Sequence, residues 1–561
     1  LKPRSAYRIV GTSRRNLDHP AIVTGRIRFG LDQRVPGMLY AVVERAPVFG
    51  AQVIAVDDKA ARAVPGVRDV ILIDADRMPF FGDNNPHPAN GVAVLADSTW
   101  SAMQGRRALK VTWDDRGGTT EGTAVMRVVA QRLITRQDRW STAIGGDVDK
   151  ALAGAHRRLV AVYETPLLAH AQMEPMNCLA RVANGRCEVW APTQMPEYVR
   201  VAAQRITKLP ASAITVHVVR MGGAFGRRFY ADYAAEAIAL AQSAGRPVQV
   251  VWGREDDTRH GFYRPAGYHL LRGGTDRRGR IAAWEHRLFN ASRSAFLDQP
   301  APPGQEENPG EVGSWDYPAV PAPAFRIGYS PIASLIPRGQ WRSVENSSNV
   351  FVIQGFLDEL AHLSQRDPLA FRLDLVARAT SLTNPKNRYE PDRLERVLRA
   401  AGERAGWGRP LPRGWGRGIA ACYANQSYVA EVVEVQVEKD RVIPRRVVAA
   451  VDAGLVVAPD GAEAQVRGAV VMGLSVALHE EITVTGGKVD QGNFDTYPVM
   501  RLPEAPVVEV EFLGTGDMPG GLGEPALPPA APALVNAIYA ATGIRLRRLP
   551  IRPADLTGSG R

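Results

Sequence analysis

At 561 residues the chain is long enough for several domains or for one large two-part catalytic body, and 45% hydrophobic against 23% charged residues is the balance of a globular protein with a sizeable core. Its formal charge of +11 is scattered without a dense basic run, which disfavours nucleic-acid binding and leaves an anionic cofactor or acidic partner open. Three cysteines, Cys178, Cys187 and Cys422, are too few and too irregularly spaced for a disulfide framework or an iron-sulfur cluster, and no H-E-x-x-H pair is present.

In chain order, residues 27–30 and 38–43 read as short strands around the Pro36-Gly37 turn. Residues 57–64 read as a short helix closed by Pro65-Gly66, followed by strands at 70–73 and 92–95, a helix at 99–107 and a strand at 109–113. Together they predict a compact α+β module ending near Asp115. A polar connection, 116–123, leads into a helical linker that ends near Leu152.

From about Leu159 the pattern alternates. Residues 187–190 predict a strand, 197–208 a helix, 214–219 a strand, 232–244 a helix stopped by Gly245, and 248–252 a strand. This argues for mixed α/β layers. The Pro-rich segment 299–323 predicts a long surface loop. In the last third, 428–437 and 447–451 read as strands, 462–478 as a helix notched by glycine, and 507–512 as a strand. A final helix opens at Pro528 and stops at Gly543, with prolines at its start as helix ends require. The apolar stretch 469–478 is too short to cross a bilayer.

Several stretches carry candidate chemistry, each with a structural alternative. Gly521-Leu522-Gly523-Glu524-Pro525 delivers one carboxylate just ahead of a helix, which suits a catalytic base and equally a helix-entry carboxylate. Gly222-Gly223-Ala224-Phe225-Gly226 follows a strand and offers backbone donors to an oxyanion or metal-oxo group, although it lacks the dinucleotide fingerprint. Gln194 follows a strand and is placed to aim its amide at a ligand. Arg338-Gly339-Gln340-Trp341-Arg342-Ser343 joins guanidinium groups to an indole, which suits a phosphate beside a flat molecule or a surface salt-bridge cluster. Gln465 and Gly468 on a helix permit close approach of a flat ring or of another helix.

Taken in order, these stretches resemble the molybdenum-binding subunit of the xanthine dehydrogenase and aldehyde oxidase family. The likeness is closer to the branch with the large subunit of isoquinoline 1-oxidoreductase and bacterial membrane-associated aldehyde dehydrogenases. Leu168-Ala169-His170-Ala171-Gln172-Met173-Glu174-Pro175-Met176-Asn177 and Asn493-Phe494-Asp495-Thr496-Tyr497-Pro498 are further words of that branch. The resemblance implies an α/β (α+β) molybdopterin-binding fold. Its parts would be an N-terminal extension at 1–20, an α/β hammerhead domain at 21–115, a linker at 116–155, and a molybdopterin-binding domain in two parts, 156–405 and 406–561.

It implies, too, that Gln194 hydrogen-bonds an oxo ligand of molybdenum, that Phe225 and Gly226 lie beside the metal with their backbone, and that Gly222, Gly223 and Ala224 belong to the same cofactor-binding stretch. Arg342, Gln465, Gly468 and Gly523 would hold the pterin, Trp341 and Tyr230 would line the substrate pocket, and Glu524 would be the base. The metal would be held by the pterin dithiolene, with no ligand from the protein. The reaction implied is oxidation of an aldehyde or N-heteroaromatic carbon with oxygen from water, and the cofactor form implied is the cytosine dinucleotide.

A small partner with [2Fe-2S] clusters would take the electrons, with a cytochrome further on. The branch's Gly-Gln-Gly stretch, which helps hold the pterin, is not found here, and the chain starts at Leu1 without an export signal. A further chain completing the pterin site is therefore expected, with a non-catalytic or incompletely loaded scaffold as the alternative. The branch implies a periplasmic or membrane-associated location, and the cytoplasm stays open.

Overall fold

The computed structural model describes residues 2–79, 81, 86–293, 310–312, 322–379, 382–383, 388–514 and 518–557. Most of the expected 299–323 loop lies outside the described residues.

Three sheets organise the chain. The first has seven strands in the order Ile214–Val218, Arg186–Ala191, Asn177–Ala183, Val248–Val251, Leu39–Arg45, Gly91–Ala96 and Val67–Ile73. The expected N-terminal module therefore does not close on itself. Its strand Leu39–Arg45 runs parallel to Val248–Val251, more than 200 residues later, and one sheet carries both. Helix Asp232–Ala244 packs against this sheet and buries most of its circumference; Asp232 in its first turn and Gly245 at φ +61° after its last explain its bounds.

The second sheet has five strands, ordered Trp140–Gly145, Ala324–Pro331, Ile281–Asn290, Gly267–Thr275 and Arg157–Thr165. Helix Asn346–Leu363 covers it through Phe351, Phe356 and Leu360. Here the expected linker at 116–155 is corrected. After helix Thr123–Leu133 the chain forms strand Trp140–Gly145, which pairs antiparallel with Ala324–Pro331, so this segment belongs to a sheet. Its alternation is weak because most of its residues stay exposed or half-exposed.

The third sheet has four strands, Trp415–Ala424, Ser427–Glu438, Arg441–Asp452 and Val507–Phe512. Helix Ala530–Thr542 lies so close to its first strand that a Cβ at Gly418 would land on helix backbone, and helices Pro391–Ala405 and Pro459–Leu478 complete the packing. The largest core joins the second and third sheets through Trp284, Phe351, Val433, Val447, Leu474 and Leu534. Two short elements also differ from expectation. Residues 27–30 form no strand, only an isolated bridge from Phe29 to Arg220 and a 3-10 turn at Gly30–Asp32, and the extra strand Gln52–Asp57 pairs with Lys110–Asp114.

Candidate functional site

The first wall of the site grows from the end of strand Ile214–Val218. Gly223, Phe225 and Gly226 all take positive φ, at 100°, 54° and 109°. For Phe225 this is a strained conformation, and it leaves the ring 37% exposed at the tip of the turn. What holds the turn is buried polar chemistry beneath it. Glu174 accepts from Gly222 N at 2.7 Å, Leu31 N at 3.0 Å and Asn177 Nδ2 at 3.1 Å, while Arg228 donates to Gly223 O at 2.9 Å and Glu174 O at 2.8 Å. Gln194 lies at the surface and its Oε1 accepts from Gly226 N at 3.2 Å, so these two expected residues meet.

The glycines of this turn are needed for packing. A Cβ on Gly222 would lie 2.6 Å from Glu174 Cβ, and one on Gly226 would land on Gln340 O. The space belongs to the protein.

The segment 338–344 is the keystone between the walls. Gly339 N donates to Tyr263 O and Gln340 N to Tyr230 Oη at 2.6 Å. Gln340 O accepts from His170 Nε2 at 2.6 Å, which fixes the tautomer because a carbonyl only accepts. Burial pushes the His170 imidazole down to about 3, so it is neutral, with Nδ1 buried and unpartnered.

The expectation for Trp341 and Tyr230 is corrected here. Trp341 is 1% exposed, donates from its indole N–H to Ala169 O at 3.0 Å and belongs to the main core; Tyr230 is fully buried against Phe262. Both rings brace the keystone from behind and neither faces an open pocket. Their large apolar area favours burial over a solvated wall.

Arg342 then brings three expected residues together. Its Nε donates to Gly523 O at 2.7 Å, and its Nη2 donates to Gln465 O and Oε1, both at 3.1 Å. One guanidinium thereby ties the Glu524 loop to helix Pro459–Leu478. Burial pulls the Arg342 pKa down and the nearby Glu524 charge opposes it. Ser343 Oγ donates to Glu524 O at 2.8 Å, so the backbone of the candidate base is held on both sides while its side chain stays half-buried.

This second wall is open. Gln465, Gly468 and Gly523 are exposed, and a Cβ built on Gly468 or Gly523 meets nothing within 4 Å. The residues fit a flat, anionic cofactor: the exposed Phe225 ring and the surface amide of Gln194 on one wall, the exposed amide of Gln465 and unfilled glycine surfaces on the other, with the buried Arg342 guanidinium supplying positive charge behind them.

His170, Gln172, Glu174, Gln340 and Ser343 carry much of this geometry, and no single role was read for them in the sequence. The available signal is the density of polar residues in 170–177, where His170, Gln172, Glu174 and Asn177 are all buried.

Comparison with known proteins places the chain. Two segments, 130–374 and 398–506, match the description "Molybdopterin cofactor-binding domain". The membrane-bound aldehyde dehydrogenase (pyrroloquinoline-quinone) of Gluconacetobacter polyoxogenes is 31% identical, over 99% of this chain and 73% of that protein. Isoquinoline 1-oxidoreductase subunit beta of Brevundimonas diminuta is 30% identical, over 99% of this chain and 69% of that one. Among solved structures, quinoline 2-oxidoreductase from Pseudomonas putida 86 shares the fold with a TM-score of 0.77 at 15% identity, covering 98% of both chains.

Proposed function

The chain belongs to the molybdenum-binding subunits of the xanthine dehydrogenase and aldehyde oxidase family, and on that premise we propose that it oxidises an aldehyde or an N-heteroaromatic carbon, with Glu524 as its base. The observation that carries this reading is the Arg342 bridge, which holds the Glu524 loop against Gln465 at the edge of an open surface. When bound, the molybdenum-pterin group supplies oxygen transfer to carbon and takes up the electron pair. The overall change replaces C–H by C–OH with oxygen from water, releasing two electrons and two protons.

Glu524 takes the first of those protons. Its backbone is clamped by Ser343 and, through Gly523, by Arg342, so the carboxylate is carried on a loop held at two successive residues. Arg342, Gln465, Gly468 and Gly523 hold the pterin side, and Gln194 with Gly222, Gly223, Ala224, Phe225 and Gly226 forms the facing wall. Trp341 and Tyr230 keep Gln340 and Arg342 in place from behind. In this reading the cofactor is the cytosine dinucleotide form, the electrons pass to a small [2Fe-2S] subunit and then to a cytochrome, and a further chain completes the pterin site. A periplasmic or membrane-associated location goes with it; among the described residues no helix is long and apolar enough to cross a membrane.

The test is elemental analysis of the natively purified complex, with turnover of Glu524→Gln. Molybdenum is expected in stoichiometric amount, and loss of a general base lowers turnover by about 10²–10⁴-fold with the metal retained. A folded, metal-free protein, or a Glu524→Gln variant of full activity, overturns the reading.

A further inference from the structure

We infer that the rim of the cofactor groove is the docking surface of a second polypeptide, one that presents apolar side chains flanked by carboxylates. The inference rests on the proposed function and assigns that second chain a place on this one.

The rim begins with residues 2–29. Their only regular elements are the 3-10 turn Arg4–Ala6 and the five-residue helix His19–Val23, and neither contains a buried residue. Ordering such a segment costs backbone entropy, and no residue in 2–29 is fully buried to offset it. It is nevertheless pinned to both walls of the groove. Gly11 N donates to Val457 O at 2.9 Å and Ser13 Oγ to Asp460 Oδ2 at 2.8 Å, at the entrance of the helix that carries Gln465 and Gly468. At the other end, Asp18 pairs with Arg220, Phe29 bridges to Arg220, and Leu31 N donates to Glu174, the carboxylate beneath the glycine turn. The segment crosses from one wall to the other.

Along this path large apolar side chains face outward. Leu17 is 95% exposed, Val23 81% and Ile9 70%; Val457 and Val218 are exposed at the two landings, and Met173, 75% exposed, and Phe225 continue the line beside the turn. Single exposed apolar residues need no explanation, but a set strung along one segment and beside both of its landings marks an interaction surface.

Charge specifies the partner. Arg8, Arg15 and Arg28 are exposed and form no ion pair with any described residue, and the one carboxylate in 2–29, Asp18, is taken by Arg220. The complementary surface therefore carries Asp or Glu among apolar residues. Placement favours a polypeptide over a lipid surface. The exposed apolar side chains come from separate segments, at 9, 17, 23, 173, 218, 225 and 457, and the longest helix of residues 2–29 has five residues, too short for the continuous amphipathic face that a bilayer takes up.

The experiment uses the natively purified complex. Hydrogen exchange and cross-linking, with chains identified by mass spectrometry, map what covers residues 8–28, and the Leu17→Asp/Val23→Asp and Arg15→Glu/Arg28→Glu variants are compared with Leu502→Asp, an exposed apolar control outside the rim. A second chain is expected to protect the rim, and each pair of rim substitutions to weaken its binding at least about tenfold. Thermal midpoints of the isolated chain stay unchanged because the substituted side chains are exposed, and Leu502→Asp has no effect.

A second chain that cross-links elsewhere and leaves the rim exchanging freely overturns the inference. So does protection of the rim by sequence of the same protein outside these 561 residues, or rim-dependent binding to phosphatidylserine vesicles in place of a protein. A molybdenum-loaded chain with a bare rim sinks the docking surface alone, whereas a rim-bound partner on a metal-free chain sinks the proposed function and leaves the docking surface standing.

Discussion

Both walls of the groove are rich in glycine, yet for opposite reasons. At 222–226 the absent side chains make room for Glu174, Gln172 and Gln340, and positive φ at Gly223, Phe225 and Gly226 lets the chain fold tightly over them. At Gly468 and Gly523 nothing fills the space, and the Arg342 guanidinium bonds Gly523 O and Gln465. A filled glycine serves the fold, and an open one serves whatever approaches from outside. The same residue type in a motif therefore says little until its neighbours are known.

Substitution separates the two walls by sign. Gly226→Ala brings a Cβ onto Gln340 O and forces alanine to φ +109°, so a loss of about 3 kcal/mol or more is expected in urea unfolding. A smaller loss would mean that the keystone gives way easily. Next in size, Arg342→Lys keeps a charge but not the fork that spans Gly523 O and Gln465, and each hydrogen bond to a charged group contributes about 1.5–3 kcal/mol. Molybdenum content should fall while the fold persists. Full metal occupancy would show that the two halves of the open wall are held together by something other than Arg342.

The pH dependence of stability should also differ between the walls. His170, beneath the filled wall, is neutral in the fold at about 3 against an ordinary 6.5, so below about 6.5 the unfolded chain binds the proton first and stability falls as pH drops toward 3. Glu480, two residues past the open wall's helix, is pushed up to about 7 by burial, against hydrogen bonds from Ser475 and the Tyr497 hydroxyl. Its folded-state pKa lies above the unfolded one, so its contribution is complete below about 4.5 and is lost as pH rises through 7. Urea midpoints across this range should show Glu480→Gln removing the alkaline loss and His170→Gln lessening the acid loss. The buried neutral His269 and His286 add to the acid side. The smallest effect is at Gly468, where alanine in an open helical position should stabilise by about 0.5–1 kcal/mol while lowering cofactor content. Unchanged loading would show that the open space is not used.

Local features were legible where one segment decides its own structure. Helix Asp232–Ala244 and strand Val507–Phe512 form at their expected bounds, because the first has its acidic start and glycine stop and the second is a β-branched run between turn residues. Strand Trp140–Gly145 was not legible, since only its pairing with Ala324–Pro331 makes it a strand. The aromatic rings of Trp341 and Tyr230 read as pocket walls in the sequence and lie in the packing behind it.

By itself the sequence determined the mixed α/β class, the order of most elements, the family, and the short list of residues worth locating. Tertiary structure alone decided which of them meet. Arg342 reaches Gln465 across 123 positions and Gly523 across 181, and no local propensity encodes a contact of that span. It also decided which glycines are filled. That depends on side chains from distant segments, Glu174 and Gln340 at one wall and none at the other, and space left by a missing Cβ has no signature along the chain.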